Sequence, residues 1–146
     1  MSAEDGSVSL QFGDGEYTFR IAFGQWRELL ESVNKPRIEI GLTPIGPMGL
    51  LKAMLEGDAW PHDVREVIRL GLIGGGMKTD RALVLIKRYV EGRPYFQNIN
   101  EARVILQTAM LGPPEDQVGK EPAPVEPEPP AKIASGSEKS TVSALQ

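Results

Sequence analysis

Three places in the chain carry residue types that do chemistry in other settings. Gly74-Gly75-Gly76-Met77-Lys78-Thr79 has the glycines, lysine and hydroxyl of a phosphate-binding loop. That loop needs G-x-x-x-x-G-K-[ST], because glycine lets backbone amides wrap a phosphate beside the lysine. Here Met77 stands where glycine must precede Lys78, and the segment before the glycines reads as a helix, not a strand. Nucleotide binding is therefore a remote alternative. Gly74, Gly75 and Gly76 read instead as a structural turn that stops one helix and joins it to the next. His62 is the only histidine. A metal there would need Asp58 and Asp63, and Pro61 interrupts the backbone between Asp58 and His62, so His62 reads as a solvent-facing or helix-start residue. Glu28 and Glu31 lie one turn apart among alternating charges, the pattern of a solvated helix face. There is no cysteine, which excludes disulfides, thiolate ligands and a thiol nucleophile. No serine, histidine and acid fall into a triad order. The residues point to a protein that is not an enzyme and takes no cofactor.

The remaining candidates concern protein contact. Trp60, Tyr95 and Phe96 sit at connections between helices, where an aromatic ring is a lid on the core or, if exposed, an interface anchor. With Met77 beside the glycines, they are the candidate partner-binding residues. Arg81, Lys87, Arg88 and Arg93 are interleaved with Asp80 and Glu91 and read as a solvated face.

The elements that must position these residues follow from apolar periodicity. Val8–Phe12 and Glu16–Ile21 alternate apolar and polar residues around Gly13-Asp14-Gly15, the pattern of a hairpin. Residues 24–33 place Trp26, Leu29, Leu30 and Val33 on one helical stripe, and Asn34-Lys35-Pro36 reads as its end. Ile38 and Ile40 read as a short strand-like run, and Pro44 and Pro47 exclude a helix through that stretch. A short helix follows over residues 48–55. The organising helix spans residues 61–73, with Val64, Val67, Ile68 and Leu72 apolar and Arg65, Glu66 and Arg69 left wet. Gly71 lies within it and suits close approach of a neighbour. Residues 81–91 form the next helix, and the last carries Ile99, Ala102, Ile105, Leu106, Ala109 and Met110 on one stripe before Gly112-Pro113-Pro114.

The predicted fold is α+β, an N-terminal β-hairpin packed on a bundle of four to five short helices. Residues 1–7 read as a flexible N-terminus, 8–111 as one domain and 112–146 as a disordered Pro-rich acidic tail. The chain has 146 residues, is 40% hydrophobic and 25% charged, and carries a net charge of -4. That charge argues against nucleic acid as a partner, and no apolar run approaches the ~18 residues that a membrane span needs.

An ordered series of motifs carries a family resemblance. It runs through Gly15–Ile21, Leu29-Leu30-Glu31, Ile45-Gly46-Pro47, Leu50-Leu51 and Trp60. It is densest in Asp63–Met77 and continues through Tyr89-Val90, Arg93-Pro94 and Ile105–Gly112. Together these resemble the small tail proteins of gene transfer agents and related prophages, a family grouped with phage tail assembly chaperones and also labelled tail tube protein. The Val33–Thr43 segment is longer and richer in proline than that pattern, and the acidic tail lies outside it. The resemblance implies a non-enzymatic tail assembly chaperone that binds the tape-measure protein, and tail tube subunits as further partners. It would act in the bacterial cytoplasm, as a homo-oligomer on its client, and leave before the particle matures. The alternative is a structural tail tube component, which should offer a substantial sheet.

Overall fold

The computed structural model describes residues 4–113. Residues 1–3, and the expected acidic tail from residue 114 onward, lie outside the described residues. Order begins before residue 8: Ser7 is buried, and its N–H donates to Asp5 Oδ1 at 3.0 Å.

The architecture is α+β, as expected. Strands β1 (Val8–Phe12) and β2 (Gly15–Phe19) form an antiparallel hairpin with Val8 opposite Phe19 and Phe12 opposite Gly15. Helices α1 (Phe23–Glu39), α2 (Pro47–Glu56), α3 (Pro61–Gly74), α4 (Thr79–Ile86) and α5 (Ile99–Leu111) follow. A π-helical turn, Lys87–Glu91, extends α4, and a 3-10 turn, Tyr95–Asn98, leads into α5. Among the described residues no helix is long and apolar enough to cross a membrane.

The core gathers around α3, which touches β2, α1, α4, α5 and the 3-10 turn. Val64, Val67, Ile68, Leu70 and Leu72 are all buried. Phe19 and Ile105 close on Gly71, where an added β-carbon would lie 3.2 Å from the Phe19 ring and 3.3 Å from Ile105. The hairpin contributes Phe12 and Phe19, stacked edge to face at 5.9 Å. That gives a two-stranded sheet the buried apolar face it needs to persist.

Two expectations are corrected. The first is the end of α1, which continues to Glu39 with Pro36 inside it. Proline leaves the carbonyl four residues earlier without its N–H donor. That carbonyl belongs to Ser32, and His62 Nε2 lies 3.2 Å from it. A donor from α3 thus replaces the missing helical one, and Ile38 is helical rather than strand-like. Arg37, one turn beyond Val33, then falls on the buried stripe of α1. Pro47, read as a helix breaker, is the first residue of α2, where its missing N–H has no helical partner to lose.

The second correction concerns why the glycines are there. Only Gly76 is left-handed (φ 113), while Gly75 has φ -81. Gly74 and Gly75 are needed for space. A β-carbon on Gly74 would collide with the Arg20 carbonyl oxygen, and one on Gly75 with that of Thr18. The end of α3 lies directly against the backbone of β2, and the Arg20 N–H donates to the Gly71 carbonyl at 2.9 Å.

Gly75→Ala should therefore destabilise the protein by at least about 2 kcal/mol in urea melts, even though alanine accepts the backbone angles at that position. Lys78→Ala, at an exposed side chain, should change stability by no more than about 0.5 kcal/mol.

Candidate functional site

The polar residues that the fold brings together lie between α1 and α3, with Trp60 at their margin. Arg37 is on the buried stripe of α1, and Asp63 is in the first turn of α3, fully buried. They meet as a bidentate pair: Arg37 Nη1 donates to Asp63 Oδ1 at 2.8 Å and Nη2 to Oδ2 at 2.7 Å. Arg37 Nη1 also donates to the Val33 carbonyl at 2.7 Å, and the Trp60 N–H donates to Asp63 Oδ2 at 2.8 Å. The guanidinium lies 4.6 Å from the centroid of the Trp60 ring, in cation–π range. A planar, five-donor cation suits this site, since it serves a carboxylate, a carbonyl and a ring face at once.

Glu66 follows one turn along α3. It was expected to stay wet and is instead buried, with its side chain 3% exposed. Ser32 Oγ donates to Oε1 at 2.8 Å, Arg69 reaches both oxygens at 2.8 and 3.0 Å, and Arg65 reaches Oε2 at 2.5 Å. Burial alone would push the Glu66 carboxyl up. The hydrogen bonds from Arg69 and Ser32 and the charges of Arg69 and Arg65 outweigh it, lowering its pKa from 4.5 to about 2. The outer rim is Glu91 on Arg65 and Glu28 on Arg69. His62, expected at a helix start, does sit there, but it is tied to Ser32 Oγ at 3.0 Å rather than facing solvent.

Every strong acceptor in this cluster is matched by a donor, so it has the character of a fastening rather than an acid–base pair. Among the described residues, no group of three or more His, Asp or Glu side chains gathers to hold a metal.

The four candidate contact residues do not form one patch. Trp60 and Met77 lie beyond opposite ends of α3, which is about 20 Å long for its fourteen residues. Trp60 is half-buried against Arg37, and Met77 is half-buried against the core. Tyr95 packs inward, its ring 5.6 Å from that of Phe96. Phe96 is 53% exposed and remains the clearest surface aromatic of the four.

Sequence reasoning missed a broader apolar surface. Ile38, Ile40, Leu42 and Met48 are all exposed along the stretch from the end of α1 into α2. Two open depressions flank that end of α1. One, of about 700 Å³, is lined by Lys35, Pro36, Trp60, Pro61 and His62; the other, of about 510 Å³, by Leu30, Asn34, Ile38 and Pro44. Asn34 fixes the stretch by exchanging two 2.8 Å hydrogen bonds with the Ile45 backbone. Exposed apolar residues between two prolines were the available signal, and reading them as a strand concealed it.

The Glu66 cluster makes a pH prediction. A carboxyl whose folded pKa lies below its unfolded value stabilises the native state above the unfolded pKa. That contribution should be intact above pH 4.5 and fade as pH falls toward 2. Urea melts across this window should show the parent losing roughly 2–3 kcal/mol more than Glu66→Gln, whose side chain does not titrate. Parallel pH profiles would show that Glu66 carries none of the acid sensitivity.

Comparison with known proteins agrees with the resemblance read from the motifs. No curated protein and no solved structure matches the chain. A family model described as "Phage tail tube protein, GTA-gp10" matches residues 5–112, nearly all of the described fold. Its wording backs the tube alternative more directly than the chaperone reading. From the hairpin through α5, the chain belongs to this family of phage-type tail proteins.

Proposed function

We propose that this chain is a non-enzymatic structural component of a phage-like tail, held in or on the tube by protein–protein contacts. The observation that carries the proposal is the extent of the family match, which spans the hairpin and all five helices rather than one shared motif. The contact surface is the exposed apolar stretch Ile38–Met48 with its two flanking depressions, since patches of this kind mark interaction sites. Asn34, Arg37 and Asp63 hold that surface in a fixed shape, which lowers the entropy lost on docking. The partners are other tail subunits, and the setting is the bacterial cytoplasm where tails are assembled.

A second reading is supported by one feature of the fold. Among the described residues the sheet has only two strands and most of the fold is helical. A tube subunit that stacks in rings should carry more sheet. A chaperone for the tape-measure protein needs only apolar grooves for a helical client, and the depressions beside α1 suit that. A nucleotide-dependent activity gains no support: Lys78 is exposed, and Met77 occupies the glycine position of the loop.

Quantitative mass spectrometry of purified particles separates these readings. The structural proposal expects the chain in every particle, at a copy number comparable to that of the other tail subunits. Absence from particles, with recovery on the tape-measure protein in assembly intermediates, would replace it with the chaperone reading.

A further inference from the structure

The hairpin has two outer edges, and among the described residues only one, at its Arg20 end, makes a backbone hydrogen bond outside the hairpin. Phe12 opposes Gly15 across a two-residue turn, so that pair exchanges both its hydrogen bonds. The alternation of an antiparallel ladder repeats this at Leu10 with Tyr17 and at Val8 with Phe19. The backbone groups of Ser9 and Gln11 on β1, and of Glu16 and Thr18 on β2, therefore point away from the hairpin. Arg20 keeps the same phase, and its outward N–H meets the Gly71 carbonyl at 2.9 Å. The end of α3 thus covers the β2 edge at Thr18 and Arg20.

Among the described residues no backbone hydrogen bond reaches the outer edge of β1. The outward N–H groups of Ser9 and Gln11 have no acceptor among the described residues. The strand reads Val-Ser-Leu-Gln-Phe, with no charge and no proline, the usual protections of an exposed edge. Beside it, between β1 and α5, runs a narrow groove of about 180 Å³ lined by Leu10, Gln11, Asn100, Glu101 and Val104. Glu101 is the only charged residue lining it, and its Oε1 is buried with no hydrogen-bond partner. A buried acceptor without a donor is unfavourable, and more so when it is charged. The edge lacks a strand, and the groove lacks a cation.

We infer that the β1 edge receives an extended segment of a partner protein as a third strand, with a lysine or arginine side chain of that segment reaching Glu101. Backbone pairing supplies the affinity and the cation supplies selectivity. A second copy of this chain fits less well. Antiparallel self-pairing about Leu10 matches the hydrogen-bond phase, but β1 carries no lysine or arginine to bring to Glu101.

The test uses the full chain, isotope-labelled, and two synthetic peptides of about ten residues. Both alternate threonine and valine; one carries a central lysine and the other a central glutamate. Titration with the lysine peptide should move the amide signals of Ser9, Leu10, Gln11 and Glu101 and slow hydrogen exchange at Ser9 and Gln11. The glutamate peptide should bind at least about tenfold more weakly. Glu101→Gln should abolish that difference between the peptides. Gln11→Pro deletes an outward N–H without touching the ladder, and Gln11→Lys adds an edge charge. Either variant, with its melting temperature unchanged, should weaken binding at least about tenfold. The inference is overturned by shifts confined to another face, by equal binding of the two peptides, or by unaltered affinity in both folded Gln11 variants. It is also overturned if the lysine peptide does not bind at millimolar concentration. A concentration-dependent dimer in sedimentation that Gln11→Lys abolishes would assign the edge to self-pairing instead. The experiment reads the edge alone, so its result is independent of whether the chain stays in the finished particle.

Discussion

The buried pair of Arg37 and Asp63 is the constraint on which the rest of the structure depends. Two charges removed from water are costly unless they are well paired, and here three N–H groups of Arg37 and both oxygens of Asp63 are hydrogen-bonded. Arg37 spends its donors on Asp63 and the Val33 carbonyl and lays its plane near Trp60. Asp63 accepts from Arg37 and from the Trp60 N–H, which starts α3 at a defined residue. An apolar contact would let α1 slide along α3. A bidentate pair fixes the rotation and register of both helices together. Ser32, His62 and Glu66 continue the same seam, and His62 also supplies the donor that Pro36 removes. Because α1 can then run through its proline to Glu39, Ile38, Ile40 and Leu42 project from the body of the protein instead of lying along a strand.

At its other end, α3 is fixed by contact between backbones. Gly74 and Gly75 let the helix end lie against the hairpin backbone at a distance no side chain allows, and Gly71 gives Phe19 a close approach. This contact and the ion-pair seam have opposite consequences for function. The seam holds an apolar surface in place at the end of α1. The glycine contact covers the end of one edge of a minimal sheet, and among the described residues no backbone bonds to the other edge. Both features are consistent with the structural role proposed above for this member of a phage-type tail family.

Much of this was legible in the sequence where the local signal and the tertiary outcome agree. Asp14-Gly15 and the alternation of Tyr17 and Phe19 gave the hairpin, and the stripes at Val64, Val67 and Ile68 and at Ala102, Ile105 and Leu106 gave the two central helices. Pro36 was read by its local preference, which normally ends a helix. The donor that replaces its N–H comes from a residue 30 positions away along the chain, beyond any local window. Ending α1 too early hid the fact that Arg37 continues the stripe of Leu29 and Val33. A positive charge on one buried stripe and an acid on another would have been the signal for the pair. Glu66 was read as wet because charge predicts exposure, and that fails where Arg65, Arg69 and Ser32 gather around one carboxylate. The glycines were read as a joint that needs left-handed angles, and the room that Gly74 and Gly75 supply was missed because the strand that presses on them is distant in sequence.

The central claim, that Arg37 and Asp63 act as one coupled element, is tested most directly by a double-mutant cycle of unfolding free energies. Arg37→Met and Asp63→Leu would each leave a buried charge without its partner and should destabilise by about 3–5 kcal/mol. The double variant, with neither charge left to bury, should be more stable than the sum of the single losses predicts, by roughly 2 kcal/mol or more. Single losses that are small, or that simply add in the double variant, would contradict the account.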